Sequence, residues 1–215
     1  MTDREPVNIM GVVAFPNPNK DERVIRFIDS EYHTLFTIKD GESIVITRFD
    51  GEKMVFPCKY IDDCHVCIGN SAYHICEFAE MQERNGNTYV PSAPKISDEI
   101  GTYEIYQIPA TADVDYYFRS YEAAKGKLQN ADYQRSYAGM YAKGNSLEDL
   151  WAKHNRDSRP FAHRMRSMSV SDIVVLTQGG RKTAYYADTI GFKKAPEFLA
   201  QQRAQKKHKE RGEAR

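Results

Sequence analysis

A short segment of the chain concentrates the side chains that most often bind transition metals. It contains Cys58, Cys64, His65, Cys67, His74 and Cys76. Thiolate and imidazole are the preferred ligands of Zn²⁺, but zinc ribbons use two Cys-x2-Cys pairs. Only Cys64 and Cys67 have that spacing, and His74 and Cys76 point to different faces if a helix begins there. We therefore predict thiols that behave as small hydrophobic side chains and no metal or cofactor, with a zinc-stabilised domain or metal-dependent enzyme as the alternative.

The pair Cys64 and Cys67 is also compatible with a thioredoxin-like redox motif. That motif needs a strand-to-helix connection, whereas His65 and Val66 lie in a predicted loop. Reduced thiols are typical of a reducing compartment. The sequence therefore predicts free cysteines and favours neither a redox pair nor disulfides.

Residues of the kind used in nucleophilic catalysis occur near position 170. His163, Ser169, Ser171 and Asp172 supply a base, two hydroxyls and a carboxylate. No nucleophile elbow surrounds them, and Ser-Val-Ser-Asp before an apolar strand is typical of a turn whose side chains bond the backbone. Asp62 and Asp63 are adjacent and point apart in an extended chain. We therefore predict a protein that is not an enzyme, with no catalytic residue.

Charge is distributed unevenly along the chain. Up to Ile100 there are 10 Lys and Arg against 17 Asp and Glu, and from Gly101 on there are 20 against 13, so net charges of −7 and +7 cancel. A basic half can meet nucleic acid or an acidic protein, or dock on the acidic half. As candidate binding residues we select Arg164, Arg166, Arg181 and Lys182, which lie before and within a predicted hairpin.

Length and hydropathy bound the architecture. The chain of 215 residues favours two small domains. No apolar run approaches the roughly 18 residues of a membrane span, and the N-terminal residues lack the layout of a secretory signal. We expect a cytoplasmic protein that does not contact a membrane.

The first half reads as a small antiparallel sheet with one helix. Strands are predicted at Ile9 to Phe15, Val24 to Ile28, Leu35 to Ile38, Ile44 to Ile46 and Met54 to Cys58. Asp40-Gly41 and Asp50-Gly51 predict hairpins that join the last three strands into a meander. A period of 3.6 residues predicts a helix from Asn70 to Asn85, capped by Asn70 or Ser71 and ended by Asn85-Gly86.

The second half follows a proline-containing segment that reads as a linker. Beyond it we predict strands at Tyr103 to Ile108 and Tyr133 to Tyr141, a helix from Phe118 to about Lys127, and a helix opened by Ser146. Ile173 to Leu176, Gln178-Gly179-Gly180 and Thr183 to Ala187 predict a buried hairpin. Pro196 begins a last helix. The fold class is α+β, with two small domains, each a mostly antiparallel sheet with packed helices, at residues 1–90 and 101–200, a linker at 91–100 and a basic tail at 201–215.

The second half also carries a family pattern. Its parts are Tyr103 to Ile108, Ser146 to Leu150, Ser167 to Leu176, Ala184 to Asp188, Gly191-Phe192 and Pro196 to Leu199. Together they resemble the YodL-like domain over about Gly101 to Leu199. Thr189-Ile190 and the basic approach His163 to Arg166 depart from that pattern.

The first half resembles one of the large polyvalent protein-associated domains. The resemblance rests on Arg26 to Asp29, Leu35 to Ile38, Cys58 to Asp63 and Tyr73 to Glu80. It implies a protein of phages or conjugative elements of Firmicutes. Neither family implies a catalytic set.

Two functions from different classes remain. The leading hypothesis is a non-enzymatic accessory protein of a mobile genetic element that acts by protein–protein interaction on a host factor, because patterned cores accompany no reactive constellation. The alternative is a nucleic-acid-binding protein that uses the basic C-terminal half, which predicts affinity that falls steeply with salt.

Overall fold

The computed structural model describes residues 7–9, 12–14, 23–93 and 100–213, and side chains for residues 23–93 and 100–204. Residues 94–99 of the predicted linker lie outside the described residues. The division into domains at 1–90 and 101–200 stays a prediction.

The first half consists of short antiparallel strands and one helix. The strands are β1 (Val7–Ile9), β2 (Val12–Ala14), β3 (Val24–Ile28), β4 (Thr34–Lys39), β5 (Ser43–Thr47), β6 (Lys53–Tyr60), β7 (His65–Ile68), β8 (Ser71–His74) and β9 (Thr88–Pro91). The helix is α1 (Ile75–Arg84). One five-stranded sheet has the order β8-β7-β6-β5-β9, and β1 with β2 and β3 with β4 form two further sheets.

Aromatic side chains join the small β3–β4 sheet to α1 and the large sheet. The rings of Phe27 and Phe36 stack with centroids 4.8 Å apart, and Phe78 of α1 meets Phe27 at 5.8 Å and Tyr89 at 5.0 Å. All four side chains are buried. The Tyr89 hydroxyl donates to the Ile28 carbonyl at 2.8 Å, which satisfies its polar end inside the core.

The second half is a single five-stranded sheet with helices on both faces. Its elements are β10 (Gly101–Gln107), α2 (Tyr121–Ala124), β11 (Gln134–Tyr141), α3 (Leu147–His154), β12 (Ile173–Gln178), β13 (Arg181–Ala187), β14 (Phe192–Lys194) and α4 (Pro196–Glu213). The strand order is β11-β10-β12-β13-β14. Every described strand pair in both halves is antiparallel, so the α+β fold class is confirmed.

Alternation along β12 divides the second core into two layers. Val174 and Leu176 pack with Leu150 of α3, whereas Ile173 and Val175 pack with Phe198 of α4. Because successive residues of a strand point to opposite faces, a strand that is apolar throughout needs a cover on each side. The continuous apolar run of β12 is therefore explained by its position between two helical layers.

The two halves touch along one interface. The Tyr89 amide of edge strand β9 donates to Met140 Sδ of edge strand β11 at 3.3 Å. Arg135 donates to the Phe49 carbonyl and lies over that ring, 5.3 Å from its centroid. The first contact gives a partner to a backbone amide at the edge of β9, and the second holds β11 beside the turn that follows β5.

The predicted meander is wrong at its first turn. Asp50-Gly51 joins β5 to β6 as expected, but among the described strands β4 pairs only with β3, and β5 pairs with β6 and β9. The Gly41 amide, at φ +88°, instead donates to the Cys58 carbonyl at 2.9 Å, and Asp40 Oδ1 accepts from the Tyr60 amide at 2.8 Å. The Asp-Gly turn is thus a corner that leads the chain from one sheet to the next.

The start of α1 and the loop before it were also predicted wrongly. Residues Ser71–His74 form β8 and His65–Ile68 form β7, so neither Asn70 nor Ser71 caps the helix. His74 is the N-cap, and its Nδ1 accepts from the Cys76 amide at 3.3 Å. Ser71 to His74 carries Ala72 and Tyr73, which fit a strand face as well as a helix face. The predicted end at Asn85-Gly86 is confirmed, with Gly86 at φ +63°.

Two further elements are shorter than predicted. The helix expected from Phe118 to about Lys127 is the single turn Tyr121–Ala124, because Phe118 at φ +57° and Gly126 at φ +81° leave the helical region. The strand expected at Ile9 to Phe15 is the pair β1 and β2, with residues 10, 11 and 15 outside the described part. By contrast, α3 and the β12–β13 hairpin are confirmed, with a Ser146–Asp149 capping box.

Candidate functional site

The structure does not bring the four predicted binding residues together. Arg166 contacts Asp172, which directly precedes β12, whereas Arg181 is paired with Gln178 at the far end of that strand. A six-residue strand is about 20 Å long. Arg181 and Lys182 are therefore separated from Arg166, and Arg164 turns to the Phe161 ring, 5.8 Å from its centroid.

Asp172 is the centre of a buried polar cluster. Its side chain is fully buried, and it accepts hydrogen bonds from both terminal nitrogens of Arg166, from Gln107 Nε2 at 2.8 Å and from the Ser169 amide at 2.9 Å. Burial raises the pKa of Asp172 to about 6, and Arg166 opposes this shift. The cluster fixes the turn before β12 and leaves no free carboxylate for chemistry.

The neighbouring hydroxyls are committed to the fold as well. Ser171 is buried at φ +80°, and its Oγ accepts from the Phe118 amide at 3.2 Å. Its carbonyl accepts from the Tyr133 hydroxyl at 3.0 Å. His163 packs against Phe161, with ring centroids 4.9 Å apart. Among the described contacts, none places His163 beside Ser169 or Ser171.

The cysteine segment is spread over a sheet and a helix start. All four cysteines are free thiols, with Cys58 buried on β6 and Cys64 exposed. Burial raises the pKa of the Cys58 thiol to about 11. His65 faces His74 across β7 and β8, with ring centroids 5.2 Å apart, and its Nδ1 lies 2.8 Å from Asp62 Oδ1. Within the described residues, no three His, Cys, Asp or Glu side chains are placed to hold one metal ion.

A hollow lies where the two halves meet, and we call it the central cleft. Its volume is about 570 Å³, within the range of ligand pockets. It is lined by the turn after β3, the end of α1, the end of α3 and the segment that follows. These residues are Ser30, Glu31, Glu80, Glu83, Arg84, Lys153, Arg156, Ser158, Arg159, Pro160, Phe161, Ala162 and His163.

Two ion pairs cross between the walls of the central cleft. Lys153 of α3 pairs with Glu83 of α1, both side chains being less than one-fifth exposed, and Arg156 pairs with Glu31 at 2.6 Å. Arg156 lowers the pKa of the Glu31 carboxyl through this hydrogen bond. These pairs neutralise the carboxylates that hold the walls together.

Other cations in the cleft have no such partner. Arg84 and Arg159 make no ion pair with a described residue, and Arg159 Nε is buried without a hydrogen-bond partner there. Phe161, also in the lining, is held at φ +60°. A positive φ at a residue other than glycine costs free energy, and such residues tend to cluster at functional sites. The cleft thus combines a strained aromatic residue with two guanidinium groups that can accept an anionic ligand.

Neither Arg84 nor Arg159 is among the four binding residues selected from the sequence. Arg159 lies in the basic stretch between Asn155 and Arg166, and that density of cations was the available signal. Arg84 belongs to a helix of the acidic half and is 75 positions away in sequence. Only the packing of α1 near the end of α3 brings them to one cleft.

A second exposed feature adjoins the Asp172 cluster. The rings of Tyr117 and Phe118 stack with centroids 3.9 Å apart, and Phe118 is 54% exposed. The Arg166 guanidinium lies 5.7 Å from the Tyr117 centroid and 5.6 Å from the Phe118 centroid. An exposed ring backed by a cation is a surface on which another planar group can stack.

Comparison with known proteins identifies the second half of the chain. Residues 102–198 match the family model of the YodL-like domain. This confirms the resemblance predicted for about Gly101 to Leu199, and places the Asp172 cluster, α3 and the β12–β13 hairpin inside that domain. No curated protein and no solved structure gave a significant match. The resemblance of the first half to a large polyvalent protein-associated domain stays a prediction.

No helix of the described residues combines the length and apolar character that crossing a membrane requires.

Proposed function

We propose that this protein is a non-enzymatic accessory protein of a mobile genetic element, and that it acts by binding a host protein in the central cleft. The observation that carries the proposal is the pair of guanidinium groups, Arg84 and Arg159, that lie in a cleft built by both halves without a described carboxylate partner. Charge complementarity favours a partner that presents carboxylates to this cleft.

The state of the titratable groups supports a binding role over a catalytic one. His154 is fully buried, and burial lowers its pKa to about 3, so it is neutral and sealed from solvent. Asp172 is bound by Arg166 and Gln107. A general base must reach the proton that it removes, and neither group is accessible to a substrate.

The mobile-element setting rests on the resemblance of the first half to domains of phage and conjugative-element proteins. It predicts that relaxase, primase or defence genes neighbour this gene. Neighbours that all belong to metabolism would count against the setting and leave the cleft proposal standing.

Photo-crosslinking tests the cleft directly. A benzoylphenylalanine placed at Ala162, an exposed cleft residue, should give one discrete protein adduct in cells that carry the gene. The same group at Val55, which is 61% exposed on β6, is the control position. The adduct should disappear in Arg84→Glu/Arg159→Glu.

A matched pair of charge reversals separates the cleft from general electrostatics. Lys53→Glu/Lys59→Glu makes the same change in net charge on exposed positions of β6 and should keep the adduct. Identical adducts from Ala162 and Val55, or loss of the adduct in both double variants, would reject the cleft as the binding site.

The second candidate function is nucleic-acid binding through the basic half. The observation that favours it is the Tyr117–Phe118 stack beside Arg166, because base stacking on an aromatic ring is worth about 1–3 kcal/mol. Affinity for a labelled single-stranded oligonucleotide should fall steeply with salt. Phe118→Ala and Arg164→Ala/Arg181→Ala/Lys182→Ala should each weaken it.

Arg166 is left unchanged in that test because it holds the buried Asp172, so its loss would confound binding with folding. Binding that is absent, or that does not change with salt, would exclude this second candidate.

A further inference from the structure

A smaller hollow lies between β13 and α4, and we call it the α4 groove. Its volume is about 310 Å³. The lining residues are Lys182, Thr183, Ala184, Lys194, Pro196, Leu199, Ala200 and Arg203. None of the described lining residues of the α4 groove also lines the central cleft.

Apolar side chains of β13 and α4, among them Ala184, Leu199 and Ala200, line the floor of the α4 groove. Ala184 of β13 is 1% exposed and Leu199 of α4 is 8% exposed. The Ala195 amide donates to the Ala184 carbonyl at 2.9 Å, which holds the start of α4 against the strand. Since Ala184 and Ala200 end at Cβ, a hollow remains beside Leu199 that an apolar side chain can fill.

The charged residues described at the rim of the α4 groove are all cations: Lys182, Lys194 and Arg203. Lys182 Nζ lies 3.3 Å from Glu104 Oε2, whereas Lys194 and Arg203 make no ion pair with a described residue. Glu104 is also shared with Arg135, at 3.0 Å. Two of the three rim cations therefore remain available to an incoming anion.

We propose that the α4 groove is a docking site for an acidic amphipathic segment of a partner protein. The apolar side chains of that segment enter the hollow over Ala184 and Leu199. The carboxylates of the segment pair with Lys194, Arg203 and Lys182. Burial of apolar side chains supplies affinity, and the rim charges supply selectivity and orientation.

The lining favours such a segment over other anionic ligands. None of the eight lining residues is aromatic, so the groove offers no ring on which a nucleic-acid base can stack. A purely ionic ligand would leave the apolar floor unused. A helix that presents apolar residues along one stripe and carboxylates beside it matches both parts of the groove.

The test uses the full chain and a synthetic probe. The probe is a fluorescein-labelled peptide of about 14 residues with leucines on one helical face and Asp and Glu elsewhere. Fluorescence anisotropy should show saturable binding. A shuffled peptide of the same composition, with leucines on all faces, and a peptide with Lys in place of Asp and Glu should each bind at least about tenfold more weakly.

Variants of the exposed lining locate the site. Lys194→Glu/Arg203→Glu should weaken binding of the peptide probe at least about tenfold, because it reverses the two unpaired rim charges. Ala200→Gln, on an exposed helical position, keeps every charge and places a polar group in the hollow, so a severalfold loss is expected. Neither change removes a buried side chain.

Two controls distinguish this proposal from the one for the central cleft. Lys53→Glu/Lys59→Glu should keep full affinity, and so should Arg84→Glu/Arg159→Glu. If only Arg84→Glu/Arg159→Glu lost binding of the labelled peptide, the peptide would be assigned to the central cleft and the proposed docking site in the α4 groove would be rejected.

Equal binding of the ordered and shuffled peptides would overturn the amphipathic part of the proposal. The proposal would also be overturned if a single-stranded oligonucleotide bound more tightly than the peptide and if Lys194→Glu/Arg203→Glu abolished that oligonucleotide binding.

Discussion

Arg166 and Asp172 form a bidentate ion pair. The Asp172 side chain is fully buried, and the Arg166 side chain is 29% exposed. The pair ties the segment before the hairpin to the start of β12. The same guanidinium lies against the Tyr117 and Phe118 rings, so one residue fixes two loops. Arg166, which was selected from the sequence as a binding residue, therefore holds together two segments of the YodL-like domain.

Arg166→Ala should destabilise the protein by about 3–5 kcal/mol, because it leaves a buried carboxylate without its charge partner. Arg164→Ala is the matched control, since Arg164 is exposed and loses only a contact with Phe161 of about 1 kcal/mol or less. Urea denaturation measures both. Equal losses in the two variants would show that the ion pair does not stabilise the fold.

Local signals made α3 and the β12–β13 hairpin predictable. Ser146 and Asp149 form a reciprocal cap that depends on a spacing of three residues, and Gly179-Gly180 supplies positive φ between two apolar runs. Such signals lie within a few residues of each other. The confirmed family match covers the same stretch.

Elements whose form depends on distant partners were not predictable. Asp40-Gly41 resembles a hairpin turn, but the Gly41 amide donates to the Cys58 carbonyl and the Asp40 carboxylate accepts from the Tyr60 amide, so its partners lie almost 20 residues further along the chain. Arg84 and Arg159 line one cleft because the two halves pack against each other. Residue types and their spacing do not show which distant residues come into contact. The central cleft and the α4 groove could therefore be found only in the structure.

His154 should make the protein sensitive to acid. Its ring is fully buried, Nε2 lies 2.9 Å from the Tyr103 hydroxyl, and burial lowers its pKa to about 3. The unfolded chain binds the proton below about pH 6.5 while the folded protein does not. Stability from this group is therefore present above pH 6.5 and is lost by about 1.4 kcal/mol per pH unit as the pH falls towards 3.

The comparison of wild type with His154→Gln isolates this effect. Between pH 6.5 and pH 5 the free energy of unfolding of the wild type should fall by about 2 kcal/mol more than that of the variant. Asp172 acts in the opposite direction in both proteins, because its raised pKa gives stability that is lost as pH rises through about 6. Parallel pH profiles would mean that folding does not lower the pKa of His154.

Gly139→Ala should be destabilising even though this glycine has no positive φ. A Cβ at this position would lie 2.6 Å from Tyr137 Cε1 and 3.1 Å from Tyr103 Cε1, and both rings are fully buried. Overpacking of this kind costs about 1–3 kcal/mol. Thermal denaturation with Ser136→Ala as the control on the same strand checks the result, and a variant as stable as that control would show that the rings can move aside.

The contacts between the halves should make the chain unfold in one step. Trp151, the only tryptophan, reports on the second half, whereas far-ultraviolet circular dichroism reports on both. For the wild type, the urea midpoints of the two signals should coincide.

Arg135→Ala/Lys153→Ala should separate the two midpoints. Arg135 bonds the Phe49 carbonyl and lies over that ring, and Lys153 pairs with Glu83 in a largely buried setting, so both changes remove contacts that cross between the halves. Arg48→Ala/Lys127→Ala removes exposed ion pairs that lie within each half and should leave the midpoints together. Midpoints that coincide in the first variant, or already differ in the wild type, would show that these contacts do not couple the halves.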